Sequence, residues 1–203
     1  APGSTMPPFK KIDWLARDIE LARRPDGSMR MRSRVPLAPY ERHIPAYLRK
    51  WAAERPDQVW LAQRRGPGRQ WKKVTYAQAL HTVDALTQAL LNLQLPAGSP
   101  VTMLSGNSIE HALLMLAAMQ ASLPVAPVSP AYSLMSQDHA KLRYIFNLIR
   151  PAVVLVQDAP PFAKALAALD LSGVTLVHVE RPPEGLHSIS FDALASTPVT
   201  PMV

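Results

Sequence analysis

Val101-Thr102-Met103-Leu104, Val125-Ala126-Pro127-Val128, Val153-Val154-Leu155-Val156 and Val174-Thr175-Leu176-Val177-His178-Val179 are the four stretches on which the fold of this chain turns. None alternates apolar with polar residues as a half-buried strand does, so each reads as a strand covered on both faces. Segments of helical character separate them, at about 108–122, 136–149 and 161–169. Strands alternating with helices build a parallel sheet whose crossovers lay helices over it. The expected fold class is therefore α/β, a layered parallel sheet with flanking helices.

The helix expected from Ser108 is apolar without a break from Ala112 to Met119. At about 14 residues it falls short of the roughly 20 that cross a bilayer, so it reads as a central helix packed on several sides and no membrane span is expected. Asn107 is the expected N-cap, with Glu110 at the third helical position facing the positive end of the dipole.

Upstream, Thr75 and Gln78 stand in the spacing of a capping box, and Ala77, Leu80, Val83, Leu86, Leu90 and Leu93 trace the buried face of a helix that stops before Pro96. Val59 to Gln63 and Gln70 to Val74 read as a hairpin with a longer loop at Arg64 to Arg69. Ile44, Tyr47, Leu48 and Trp51 mark an amphipathic helix ending near Pro56. Before it, Arg30, Arg32 and Arg34 alternate with other residues beyond a Pro25 to Gly27 turn, which suggests an extended arm laid across the domain behind it. The expected division is a basic arm over 1–42, an α/β domain over 43–180 and an irregular tail over 181–203, which ends without a closing element and reads as a truncation. The leading Ala-Pro-Gly-Ser-Thr before Met6 is set aside as an appended leader.

The 203 residues are 48% hydrophobic and 18% charged, a globular balance, and the 21 prolines form no repeat. The net charge of +7 is loaded at the front, where residues 1–50 hold 11 Lys and Arg against 5 Asp and Glu. No interleaved aromatics accompany that charge to stack bases, so nucleic acid is not an expected partner. With 0 cysteines there is no disulfide framework and no thiol nucleophile. The first thirty residues lack the apolar stretch of about 7 to 15 residues that a secretory signal needs, and a cytoplasmic location is expected.

No G-x-G-x-x-G and no G-x-x-x-x-G-K-[ST] appears. The 6 histidines show no i, i+4 pair and no H-E-x-x-H, so no metal site is expected. Nor is there a G-x-S-x-G elbow, and no catalytic residue is assigned. What remains is the chemistry of strand ends, where open α/β sheets bind ligands. Ser105-Gly106-Asn107-Ser108 follows the first parallel strand and reads more as a helix cap than as a ligand loop. Ser129-Pro130-Ala131-Tyr132-Ser133 follows the second, and its tyrosine adds an apolar wall with a polar tip.

The succession Trp71-Lys72-Lys73-Val74-Thr75-Tyr76, Leu95-Pro96-Ala97-Gly98-Ser99-Pro100-Val101, Asn107-Ser108-Ile109-Glu110 and Pro124 to Tyr132 resembles the N-terminal portion of the adenylate-forming superfamily. Pro39-Tyr40-Glu41-Arg42-His43-Ile44-Pro45, Leu134 to Leu142, and Leu155-Val156-Gln157-Asp158 look like the feruloyl-CoA synthase branch in particular. The likeness runs from about residue 20 to the end. It implies the incomplete N-terminal portion of an acyl-CoA synthetase-like large domain. In the complete enzyme a hydroxycinnamate-type acid attacks the α-phosphate of ATP, with Mg, and the thiol of CoA then displaces AMP. It also implies that Ser129, Pro130, Ala131 and Tyr132 lie on the CoA and acyl side. The nucleotide loop T-S-G-S-T-G-x-P-K-G and the C-terminal lysine of the superfamily are absent, so the segment is expected to be inactive alone and to hold no cofactor. Uncovered apolar surface makes self-association possible.

Two other readings stand beside the enzyme fragment. One is a non-catalytic α/β binding or interaction module on the same scaffold. The other is a basic nucleic-acid or membrane-surface protein, resting on the front-loaded charge alone.

Overall fold

A computed structural model describes residues 10–14 and 17–203, so the leader set aside at residues 1–5 lies outside the described residues. The chain forms two units, one up to Tyr40 and one from Glu41.

In the first unit β1 (Ile19–Arg23) and β2 (Met29–Ser33) form an antiparallel hairpin. Its turn falls at Pro25 to Gly27, where Gly27 takes the positive φ of 84° that a side chain resists. Asp26 Oδ1 accepts the Ser28 amide at 2.9 Å and closes the turn. Because Leu21 pairs with Met31 and Glu20 with Arg32, one face carries Ile19, Leu21, Met29 and Met31. The other carries Glu20, whose carboxylate accepts from Arg32 Nε at 3.0 Å.

The second unit opens with α1 (Ile44–Glu54), then the antiparallel pair β3 (Val59–Arg65) and β4 (Gln70–Thr75). This hairpin is longer than expected, leaving only Gly66 to Arg69 as its loop. Thr75 then caps α2 (Tyr76–Asn92): its Oγ1 accepts the Gln78 amide at 3.3 Å, and Gln78 Oε1 accepts the Thr75 amide at 3.0 Å. The capping box thus forms as expected.

A five-stranded sheet follows, built from β5 (Val101–Leu104), β6 (Val125–Pro127), β7 (Val153–Val156), β8 (Thr175–His178) and β9 (Ile189–Ser190). All its pairings are parallel and the order is β6-β5-β7-β8-β9. The four apolar runs are thus strands of one parallel sheet. The helices between them are α3 (Ile109–Gln120), the single turn α4 (Ala131–Leu134), α5 (Ala140–Ile149) and α6 (Ala159–Ala167).

Alternation along the strands sorts the core into two layers. Val101, Met103, Val153, Leu155 and Val177 meet Leu86 and Leu90 of α2 and Leu113 and Leu114 of α3. Leu104, Val154, Val156 and Leu176 face the other way, against Leu142 and Phe146 of α5 and Phe162 and Leu166 of α6. All residues of β5 and β7 are buried, as strands covered on both faces should be. At about 1.5–3 kcal/mol for each large apolar side chain, these layers supply the main stabilisation.

Three expectations are corrected. The helix expected over 136–149 begins only at Ala140, because the chain first makes α4 and a tight bend at His139. Ser108 rather than Asn107 caps α3, its Oγ accepting the His111 amide at 3.1 Å, so Glu110 is the second helical residue. The tail expected to be irregular carries β9 and α7 (Phe191–Ala195), and Phe191 and Leu194 of α7 enter the α2 layer. Its Thr200 is pinned as well, with the hydroxyl donating to Oε1 of the buried Gln88 at 2.7 Å. Five residues were too short a run to show helical periodicity.

Candidate functional site

The strands of the sheet run in parallel, so the loops that leave β5, β6, β7 and β8 emerge along one edge. From β5 the chain lays β6 on one side, then returns across β5 to place β7 on the other. Strand order reverses between β5 and β7, and open α/β sheets receive ligands outside the carboxyl ends at such a point.

Ser105 to Ser108 leaves β5 and is braced by the β3–β4 hairpin. Gln63 and Arg65 alternate on β3 and Lys72 pairs across from Gln63, so the three share a face. Gln63 Oε1 accepts the Ile109 amide at 3.2 Å, and its Nε2 donates to the Asn107 carbonyl at 3.4 Å. Arg65 donates to the same Gln63 oxygen at 2.8 Å and to Glu110. Lys72 Nζ donates to Glu110 Oε1 at 3.2 Å. Burial of the Glu110 carboxyl raises its pKa, but the Arg65 hydrogen bond, a backbone hydrogen bond and the two cations outweigh that, leaving it below the usual range. These side chains spend their bonding capacity on one another and on the backbone.

Ser129 to Tyr132 leaves β6 through Val128, whose amide donates to the Met103 carbonyl at 3.1 Å. Ser129 is exposed, while Pro130, Ala131 and Tyr132 are half-buried. Pro130 sets φ at −56° and opens α4, so Tyr132 leans against the start of α5, where Lys141 Nζ lies 5.5 Å from its ring centre. The loop holds no charged group, and its hydroxyls and apolar walls suit a neutral, partly apolar ligand chain.

On the other side of the switch point Gln157 and Asp158 follow β7. Asp158 receives a two-pronged contact from Arg181, Nε at 2.8 Å and Nη2 at 2.5 Å. The Arg181 hydrogen bonds hold the Asp158 carboxyl below its ordinary range, against the small penalty of burial. Gln157 Oε1 is buried without a partner. Beside this pair a groove of about 1130 Å³ runs between α6 and the segment 181–186, over Leu166, Leu169 and Leu186. None of Ser129 to Tyr132 lines it. A smaller hollow of about 340 Å³ lies against Gln63, Asn107 and His111.

The edge therefore brings together the two loops singled out in the sequence, on neighbouring strands, without a catalytic constellation between them. Among the described residues no three His, Asp or Glu gather to hold a metal ion. No helix among them is long and apolar enough to cross a membrane. Among the described residues no Gly-rich phosphate cradle and no free paired carboxylates stand at this edge, so those residues do not fit Mg-ATP. The Glu110 network, His139 and the Asp158–Arg181 pair were not read from sequence. A single acid opening an otherwise apolar helix was the one available signal for the first.

The pattern of the AMP-binding enzyme family matches residues 48–200. The chain belongs to that family. No curated protein matches the chain in sequence. Among solved structures it resembles a long-chain-fatty-acid CoA ligase from Rhodopseudomonas palustris, with 22% identity and a TM-score of 0.58 over 77% of this chain and 37% of that one. It resembles acetoacetyl-CoA synthetase from Streptomyces lividans with 16% identity and a TM-score of 0.60, over 77% of this chain and 25% of that one. A fatty acyl-adenylate ligase from L. pneumophila, in complex with acyl adenylate and pyrophosphate, shares 18% identity and a TM-score of 0.52, over 77% and 25%. At these identities the likeness is one of fold, a parallel sheet with flanking helices shared with these proteins. The chain spans between 25% and 37% of the length of these three proteins.

Proposed function

We propose that this chain is the N-terminal segment of an AMP-forming acid:CoA ligase of the feruloyl-CoA synthase type. The complete enzyme would join a hydroxycinnamate-type acid to CoA, consuming ATP with Mg and releasing AMP and pyrophosphate. The observation that carries this reading is the match of the AMP-binding family across the whole parallel sheet, residues 48–200. The strings Pro39 to Pro45 and Ser129 to Leu142 support the aromatic-acid branch.

Within that reading Ser129, Pro130, Ala131 and Tyr132 face the pantetheine arm of CoA. Their uncharged, half-open character supports this, because the arm is neutral and its amides need only a few polar partners. The segment alone is inactive in this proposal, since phosphoryl chemistry is mostly electrostatic stabilisation and the groups at this edge are already paired. ATP and CoA are cytoplasmic metabolites, which supports a cytoplasmic setting. The apolar face Ile19, Leu21, Met29 and Met31, exposed on its hairpin, supports self-association of the isolated chain.

The test separates the half-reactions. Ferulate-dependent exchange of pyrophosphate into ATP should be at background for this chain and robust for the complete enzyme. In the complete enzyme Ala131→Trp should slow thioester formation at least tenfold while changing exchange less than twofold. Exchange by the chain alone overturns its assigned inactivity, and equal slowing of both halves overturns the place given to the loop.

A further inference from the structure

Among the described residues five with side chains adopt positive φ: Arg69, Gln94, Ser122, His139 and Arg150. Only His139 is buried, with 7% of its surface exposed. The left-handed region is sparsely used by residues with a Cβ, though histidine tolerates it better than most. Such a conformation persists where its surroundings over-determine it, and ligand clamps are among those places.

His139 precedes α5 with φ 53° and ψ 23°, yet its side chain does not cap that helix. The ring turns back to α4 instead, placing Nε2 at 3.1 Å from the Ser133 carbonyl oxygen. A carbonyl can only accept, so Nε2 carries the proton. The backbone around it is tied down too. The His139 amide donates to Ser136 Oγ at 3.0 Å, the Ala140 amide to Asp138 Oδ1 at 3.1 Å, and Arg143 Nη1 to the Asp138 carbonyl at 2.7 Å. One strained residue thus joins the start of α5 to α4, the direct continuation of the Ser129 to Tyr132 loop. At 4 residues α4 is far too short to hold itself.

We propose that His139 is a positioning residue, whose ring hydrogen bond to the Ser133 carbonyl latches α4 and so fixes the Ser129 to Tyr132 loop at the carboxyl edge of β6. The functional meaning of the latch rests on the reading of that loop as CoA-facing. Opening it would loosen α4, which would keep only its packing against α6, while leaving the sheet intact, since the ring bonds to nothing in either strand-facing core layer.

Hydrogen exchange on this chain without ligand tests the latch. The amides of Tyr132, Ser133, Leu134 and Met135 donate within the turn, to Ser129, Pro130, Pro130 and Ala131. Amides of β5 and β7 report global opening in the same sample. His139→Phe fills the space without a donor, His139→Asn tolerates the backbone but is too short, and His139→Gln restores an N–H donor. Phe and Asn should speed exchange of the four turn amides about tenfold, the factor usual for one buried hydrogen bond, with β5 and β7 unchanged. Gln should recover most of the protection. Wild-type protection in the Phe variant, no recovery with Gln, or equal acceleration of β5 and β7 would each overturn the latch. Because no ligand is present, this result is separate from the half-reaction test, which decides whether the loop meets CoA.

Discussion

The loops Ser105–Ser108 and Ser129–Tyr132 leave adjacent strands of one sheet at the same edge, and the chain holds them by different means. The first is pinned from outside, by a hairpin more than thirty residues upstream that brings Gln63, Arg65 and Lys72 onto the start of α3. The second is held without charge, by His139 reaching back to Ser133 and by the packing of α4 on α6. An external brace of charged groups on a buried acid gives rigidity by tying Gln63, Arg65, Lys72 and Glu110 to one another. A local latch leaves Ser129 and Tyr132 open to solvent on one side, at the cost of a strained backbone. A loop that must meet a ligand and let it go is better served by the second arrangement.

The largest effect expected on that comparison comes from Glu110→Ala. Its side chain is only 4% exposed and serves both Arg65 and Lys72, so its loss strands two cations beside an apolar helix. Breaking one side of a buried pair costs about 3–5 kcal/mol. Since Lys72 is half exposed and can turn to water, the lower end is expected. Urea unfolding should show it as a lower midpoint at unchanged slope. The same network sets a pH dependence. With the folded pKa of Glu110 below its unfolded value, its stabilisation is full above the unfolded value and fades as pH falls through the folded one. Glu110→Gln should flatten that part of the acid limb, and an unchanged limb would mean the network contributes little.

That difference between the loops was only half legible in the sequence. The sheet was legible because buried parallel strands need long apolar side chains on both faces, and Val153 to Val156 admits no other reading. The cap at Thr75 was legible because its two partners lie three residues apart. The brace was not, since Gln63 and Glu110 meet through a tertiary contact that no local period records. His139 was hidden for a different reason: a left-handed backbone leaves no mark on a side chain that is neither Gly nor Asn. The shift of the α3 cap from Asn107 to Ser108 shows the limit of local rules, because both residues are good caps and packing against Gln63 chose between them.

A middle-sized effect is expected at that cap. Ser108→Ala removes the acceptor for the His111 amide and should cost about 1 kcal/mol, the usual value for a lost N-cap. Because Gln63 separately satisfies the Ile109 amide, the loop should keep its shape. Hydrogen exchange ought to quicken at His111 and stay slow at Ile109. Equal quickening at both would mean the brace depends on the cap.

The smallest effect, and the sharpest discriminator between the two loops, is expected from Lys141→Met. Lys141 sits over Tyr132 with Nζ 5.5 Å from the ring centre, beside a loop that has no charge of its own. An exposed cation–π contact is worth about 0.5–1 kcal/mol, and Met keeps the length and apolar stem, so the loss should fall at or below about 0.5 kcal/mol. Neutralising Lys72 at the first loop leaves a buried carboxylate with one cation fewer, whereas neutralising Lys141 leaves only a half-buried ring with a different apolar neighbour. If the second loop is held by the His139 latch and not by charge, Lys141→Met should leave the exchange of the Tyr132 to Met135 amides within twofold of wild type. A tenfold rise would place Lys141 alongside His139 in holding the loop, and the contrast between a charged brace and an uncharged latch would fail.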